Sequence, residues 1–292
     1  MSIFRGCAHR WKLQYKDKIK KFDSSIHTVF GTSIHETIQH YLDVAYEKSF
    51  AAADREINIE EYFQEKFISE YQTQYKKNKD THFSDAIEMR EFFEDGVAIL
   101  DWFRKKRSRY FNKKGTYLVG CELPIVIAPN KMYNNVLYIG YLDVVTYNER
   151  TDTFKIIDIK TSTKGWNKFA KADENKQFQL LLYKQFFSEQ YNIPLEKIDI
   201  EFFIVKRKVL DWNDSKIMSP HQAYRVQTFS PPSGKIKLGK AKKAITNFIS
   251  ECFNTDGSIK SKNYIKTPSK WTCSFCPFKE EQELCGAGLD FL

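Results

Sequence analysis

Between Tyr117 and Thr161, three runs rich in Val, Ile and Tyr follow one another, and each carries a carboxylate, the second and third in the middle of an apolar stretch. β-Branched and aromatic residues bounded by turn signals fit a pleated, half-buried surface. Tyr117–Ala128, Val136–Tyr147 and Thr153–Thr161 are therefore predicted as consecutive strands of a meander. Alternate strand residues share a face, so in Thr153-Phe-Lys-Ile-Ile-Asp158-Ile-Lys160-Thr161 the side chains of Asp158 and Lys160 point one way, and Ile157 and Ile159 point into the core. The preceding strand, Ile139-Gly-Tyr-Leu-Asp143-Val-Val, places Asp143 in an equally apolar run. Asp158-x-Lys160 taken alone fits an ion pair that stabilises a strand. Two carboxylates and a lysine at the centre of a sheet are harder to explain as structure, because a buried charge is costly unless it is paired or binds a metal.

Around these strands the chain reads helical, then mixed, then helical. Residues 31–50 are predicted as a helix that opens at Gly31, with Thr32 or Ser33 as N-cap, Glu36 completing a capping box, and Ile34, Ile38, Leu42 and Ala45 at helical spacing. Further amphipathic helices are predicted over 56–75 and 84–110. Beyond the strands come a helix over 174–191, a strand Lys197–Lys206, a short strand Ala223–Phe229 and a basic helix Lys235–Phe253. Lys270–Leu292 reads as irregular. No repeat or low-complexity linker interrupts the pattern. The expectation is an α/β (α+β) chain of one domain with an appended helical region: 1–30 and 270–292 as its ends, 31–115 helical, 116–230 the core and 235–254 the basic helix. The 292 residues allow a sizeable core, and 42% apolar with 15% aromatic content excludes a disordered chain. No apolar run reaches 18 residues, and Met1–Lys21 is polar and basic. A soluble, cytoplasmic protein with no membrane partner is expected.

The net charge of +9 is unevenly spread. Residues 51–100 carry 6 basic and 12 acidic side chains, 101–115 carry 7 and 1, 116–200 carry 10 and 10, and 201–270 carry 14 and 5. Two basic segments flanking a neutral middle fit a track for a phosphate backbone beside a separate reaction centre; they equally fit solvated helix faces. As a metal site, the strand charges have a clear chemistry. Mg²⁺ takes hard oxygen ligands and keeps several waters. Asp143 and Asp158 supply two oxygens, the Ile159 carbonyl a third, and a bound ion makes water easier to deprotonate. Lys160 would stand beside that water and the scissile phosphate.

Gly140-Tyr-Leu-Asp143, Asp158-Ile-Lys160-Thr161 and Gln179-Leu-Leu-Leu-Tyr183, in this order, resemble the PD-(D/E)XK nuclease superfamily. The resemblance is to its RecB-like branch, which includes the CRISPR-associated RecB-type exonucleases and the AddB nuclease domain. His35, in Gly31-Thr-Ser-Ile-His35-Glu, matches the histidine that this branch carries on a helix ahead of the strands. The resemblance implies a restriction-endonuclease-like core, a central mixed sheet flanked by helices. It implies that His35, Asp143 and Asp158 are Mg²⁺ or Mn²⁺ ligands, that Lys160 is the catalytic lysine, and that Gln179 and Tyr183 position DNA. Gln179 and Tyr183 are four apart and share a helix face, a spacing that an ordinary amphipathic helix also shows. Glu122, on the first strand, is a further inward candidate ligand.

Six cysteines are present, and Cys273-Ser-Phe-Cys276 followed by Cys285 has the spacing of a metal or cluster site. Three thiolates leave a tetrahedral site one ligand short, and Cys7 near the other end completes four. Relatives in the RecB-like branch share this layout, which implies a [4Fe–4S] cluster held by Cys7, Cys273, Cys276 and Cys285 and stapling the two termini. Zinc uses the same four thiolates, and the final gap of eight residues is longer than the branch's spacing. Cys121 and Cys252 read as core residues. The family implies an exonuclease acting on single-stranded DNA or DNA ends in recombination, repair, phage replication or CRISPR adaptation, with a helicase or another protein of those pathways as partner. Trp166, Phe169, Trp212 and Tyr224 are candidates to stack on bases. A structure-specific endonuclease and a catalytically silent nucleic-acid-binding module are the alternatives. Gly234-Lys-Ile-Lys-Leu-Gly239-Lys240-Ala241 nearly matches a phosphate-binding loop but ends in Ala241 where a hydroxyl is needed.

Overall fold

A computed structural model describes all residues except 20, 23, 113, 211, 212, 214, 216–221 and 287–292. The chain divides into two compact units: residues 1–23, 126–138 and 235–292 form one, and residues 24–125 and 139–234 form the other.

The larger unit is built on a sheet of order β1-β2-β3-β4-β5: β1 Thr116–Ile127, β2 Tyr138–Asn148, β3 Thr153–Ser162, β4 Ile198–Lys206 and β5 Val226–Phe229. β2 and β3 are antiparallel, β3 and β4 parallel, and β4 and β5 antiparallel, so the sheet is mixed as expected. On one face, Val144, Ile157, Ile159, Phe203 and Val205 join a core with helix α3 (Ile26–Glu47), α5 (Ile59–Lys77) and α6 (Ala86–Lys106). On the other face lies the crossover between β3 and β4, a short helix α7 (Lys168–Ala172) and α8 (Glu174–Tyr191). Phe187 of α8 meets Phe154 of β3 at 5.7 Å between ring centres. Nine of the 18 residues of α8 are buried, nearly all round its axis, so its sequence shows little amphipathic contrast.

Helix α3 begins at Ile26, after Ser25, rather than at residues 31–33. The apolar stripe continues backwards through Ile26, Val29 and Phe30, each at most 2% exposed, and this burial carries the helix through Gly31. Ser33, read as a cap, turns inward instead. Ser33 donates to the Val29 carbonyl at 2.9 Å and Thr37 to that of Ser33 at 2.7 Å, the back-bonding open to Ser and Thr inside a helix. A helix α4 (Phe50–Glu56), capped by Ser49, was not anticipated.

Gly96 on α6 has a packing reason. A Cβ there would stand 2.2 Å from Cζ of Phe63, whose ring is fully buried and stacked on Phe93. Gly96→Ala forces this ring aside. The expected cost is about 1–3 kcal/mol, seen as a fall of roughly 2–12 °C in the thermal midpoint. An unchanged midpoint would show that the ring moves freely.

The smaller unit contains both chain ends: α1 (Ser2–Gly6), α2 (Ala8–Trp11), α9 (Lys235–Cys252) and α10 (Lys270–Ser274). One cluster of its core is Trp11, Cys252 and Tyr264, with Phe4, Phe248 and Phe253 packed around them. α10, capped by Ser269, lies in a stretch read as irregular from sequence; at five residues it is too short for a periodic signal. On α9, Leu238, Ala241, Ile245 and Ile249 are buried, and Lys235, Lys240, Lys242 and Lys243 are exposed. No described helix is long and apolar enough to cross a membrane.

Candidate active site

Three strands and two helices bring the predicted residues together in the larger unit. Val144 pairs with Ile157, so one step further along the antiparallel register sets Asp143 opposite Asp158. The Asp143 Oδ2 accepts the Ile159 N–H at 2.7 Å. Asp158 is 1% exposed. The Lys160 Nζ lies 2.8 Å from its Oδ2 and forms an ion pair with it. Among the described residues, the Asp158 Oδ1 has no hydrogen-bond partner.

α3 delivers His35 to the same place. Gly31, one turn earlier, lets the helix approach β3, since a Cβ there would stand 3.1 Å from the Thr161 hydroxyl. The His35 Nδ1 is 3.5 Å from Asp143 Oδ2, and the ring bonds the Ile159 backbone. Burial first, and then the Lys160 charge, push the His35 pKa down to about 4. The imidazole is therefore neutral at neutral pH and keeps a lone pair. Burial raises the pKa of both Asp143 and Asp158, with Lys160 opposing it in each. For Lys160, burial acts to lower the pKa, but Asp158 and Asp143 outweigh it and leave it raised, so the ammonium persists.

On α8, the Gln179 amide donates to the Tyr183 hydroxyl at 3.3 Å. Burial and the charges of Asp158 and Asp143 raise the Tyr183 pKa, which puts this hydroxyl within electrostatic reach of both carboxylates. Glu122 departs from expectation. It is exposed, not inward, because the alternation of β1 slips by one residue at Gly120–Cys121 and Glu122 takes φ +50°. Its carboxylate still reaches the site, accepting from the Gln39 amide at 2.6 Å. Gln39 is the residue missed in the sequence; the only available signal was a polar side chain one turn after His35. Among the described residues, no three His, Cys, Asp or Glu side chains stand in ready metal-binding geometry.

The base-stacking candidates separate by exposure. Trp166 packs on Phe202 at 4.8 Å, and the Gln227 side chain bonds both its N–H and its C=O. Phe169 is 73% exposed. Tyr224 is half-buried, and Trp212 lies outside the described residues. The basic 101–115 segment is partly neutralised, with Arg107 paired to Asp54 and both Arg104 and Lys105 to Asp101.

In the smaller unit, Cys7, Cys273, Cys276 and Cys285 line one cavity together with Arg10. Burial raises the Cys276 pKa, the Arg10 charge lowers it, and Cys285 and Cys7 lie close enough to act on it too. Cys252 is fully buried, and Cys121 is half-buried against the larger core.

A model of the PD-(D/E)XK nuclease superfamily matches residues 1–281. The chain belongs to the PD-(D/E)XK nuclease superfamily. The mixed sheet flanked by helices is the restriction-endonuclease-like arrangement of that superfamily, and Asp143, Asp158 and Lys160 stand on adjacent strands of this PD-(D/E)XK chain. None of the curated proteins matches. Among solved structures, the crystal structure of SSO0001 is similar over 95% of this chain and 92% of its own, at 11% identity and a TM-score of 0.33.

Proposed function

We propose that this nuclease is a Mg²⁺- or Mn²⁺-dependent exonuclease acting on single-stranded DNA or DNA ends. The observation that carries the reading is the Asp158 carboxylate, 1% exposed opposite Asp143, with Lys160 beside its Oδ2 and no hydrogen-bond partner for its Oδ1 among the described residues. Such a group is expensive unless something binds it, and paired carboxylates fit a hard divalent cation. Asp143, Asp158, the Ile159 carbonyl and His35 would hold the ion, with Glu122 a further ligand. When bound, the ion supplies Lewis acidity and makes water easier to deprotonate. Neutral His35 offers a lone pair without adding charge. Lys160, whose side chain is 31% exposed, carries its ammonium to the mouth of the site, where it neutralises charge that builds on the phosphate. Gln179 and Tyr183 orient the strand from α8. Unwinding would fall to a helicase or another protein of recombination, repair, phage replication or CRISPR adaptation.

We read the four-cysteine cavity as a [4Fe–4S] site. Its support is that four thiols from opposite ends of the chain line one space. The cluster would tie the ends of the smaller unit and take no part in hydrolysis. The expected protein is brown, with iron and acid-labile sulfide; a colourless protein with one zinc per chain overturns this reading.

The nuclease reading is tested with labelled linear and circular single-stranded DNA. Mg²⁺- or Mn²⁺-dependent loss of the linear strand alone is the expected result. Cleavage of circles makes the protein an endonuclease, and binding without cleavage makes it a silent binding module. If about five cations meet phosphates, the log–log slope of binding constant against salt is near −3.5. A slope near zero would leave the lysines of α9 as a solvated surface.

A further inference from the structure

We propose that Gln39 is a positioning residue, which fixes the bulge of β1 and thereby sets which carboxylates a divalent cation meets. The inference rests on the reading of His35, Asp143 and Asp158 as the cation site. Gln39 sits one turn after His35 on α3 and is 6% exposed. Its Nε2 lies 2.6 Å from Glu122 Oε1 and 3.0 Å from the Asp143 carbonyl. Both partners are pure acceptors, so the amide can face them only through its NH2, and both of its protons are used. Its backbone carbonyl meanwhile accepts the Cys121 thiol, at 3.8 Å. One residue of α3 thus holds two successive residues of β1 and the backbone of β2.

The held position is an unusual one. Residues 116–120 of β1 turn even positions inward, and residues 121–125 turn odd positions inward. The slip is absorbed where Glu122 adopts φ +50°, a conformation that side chains with a Cβ avoid. Bulges of this kind re-aim a side chain and recur beside active sites. Without the slip, Glu122 would continue the inward phase of residues 116–120; with it, the carboxylate is exposed to solvent yet acts electrostatically on Asp143 and His35. An exposed Glu side chain has many rotamers, and the Gln39 amide selects one. A buried glutamine that merely satisfied its own hydrogen bonds would matter to stability and not to cation affinity.

The experiment measures Mn²⁺ binding to the full chain without nucleic acid, from the electron paramagnetic resonance signal of the free ion. Gln39→Met keeps the volume and removes the donors. Its Mn²⁺ dissociation constant is expected to rise about 10–100-fold, the range seen when groups that orient metal ligands are lost. Its thermal midpoint in chelator and its affinity for single-stranded DNA in chelator are expected to stay near wild type. Glu122→Gln should weaken Mn²⁺ comparably, and the double variant should be no worse than the weaker single, because Gln39 acts through Glu122. A Gln39→Met constant within threefold of wild type overturns the proposal, and so does full additivity in the double variant. Should Gln39→Met fail to fold, Gln39→Asn, which shortens the amide by one carbon, is judged by the same criteria. Wild type that binds Mn²⁺ but cuts no DNA overturns the nuclease reading and leaves these constants to decide on Gln39. Wild type that binds no Mn²⁺ overturns the cation site and this inference together.

Discussion

Lys160→Ala is expected to leave single-stranded DNA bound within a few-fold and to slow its metal-dependent cleavage by about 10²–10³ or more, the range for losing one preorganised charge at a developing anion. The expectation follows from where the ammonium stands. Its stem runs along β3, and its head lies beside Asp158 with its side chain 31% exposed. The charge persists because Asp158 and Asp143 outweigh the burial that opposes it. Asp158→Ala removes the most buried carboxylate of the site and should abolish cleavage to the detection limit. It also leaves Lys160 without its nearest counter-charge, so its thermal midpoint has to be measured beside its activity. Both variants are assayed on strands labelled at either end, which reads polarity from the same gels. Undiminished cleavage by both would sink the assignment of the site to these strands.

Cys273→Ser is expected to strip the protein of its iron and sulfide and to unfold the smaller unit. The reason is size. That unit buries Trp11, Leu13, Leu238, Ile245, Ile249, Cys252, Tyr264 and Phe278, a small core drawn from separate stretches of the chain, so a metal staple carries much of its stability. Structural metal sites contribute strongly here, about 10–16 kcal/mol in zinc-finger peptides. The readouts are metal content, visible absorbance and proteolysis of the 270–286 segment. Cys252→Ser is the control: Cys252 is buried and does not line the four-cysteine cavity, so that variant loses stability and keeps its colour. A Cys273→Ser protein with full iron content would falsify the four-thiolate reading.

The sequence made the strands and α8 legible because their signals are local. The helix expected over 174–191 is α8, Glu174–Tyr191, and the carboxylates of β2 and β3 stood out against apolar neighbours. The start of α3 was not legible. Gly31 and the hydroxyls after it mimic a helix opening, and only burial of Ile26, Val29 and Phe30 shows that the helix has already run five residues. Gln39 was hidden for a different reason: both acceptors of its amide lie more than 80 residues away, on strands whose register has to be known first. Glu122 was found but aimed wrongly, because a single left-handed residue reverses the phase of a strand and leaves the composition unchanged. Trp166 and Phe169 looked alike as basic-flanked aromatics, and only packing separates the braced ring from the exposed one.

The smaller unit is assembled from residues 1–23, 126–138 and 235–292, which gives it a schedule. At a synthesis rate of about 5–20 residues per second, roughly 15–55 s pass between the making of Cys7 and that of Cys285. For most of that interval the N-terminal segment waits for its partners, and Trp11 has no Tyr264 to pack on. The larger unit draws all its residues from before residue 235, so its catalytic strands are all made before the last 58 residues of this sequence. Residues 1–23 are thus made well before the 235–292 segment that completes their unit.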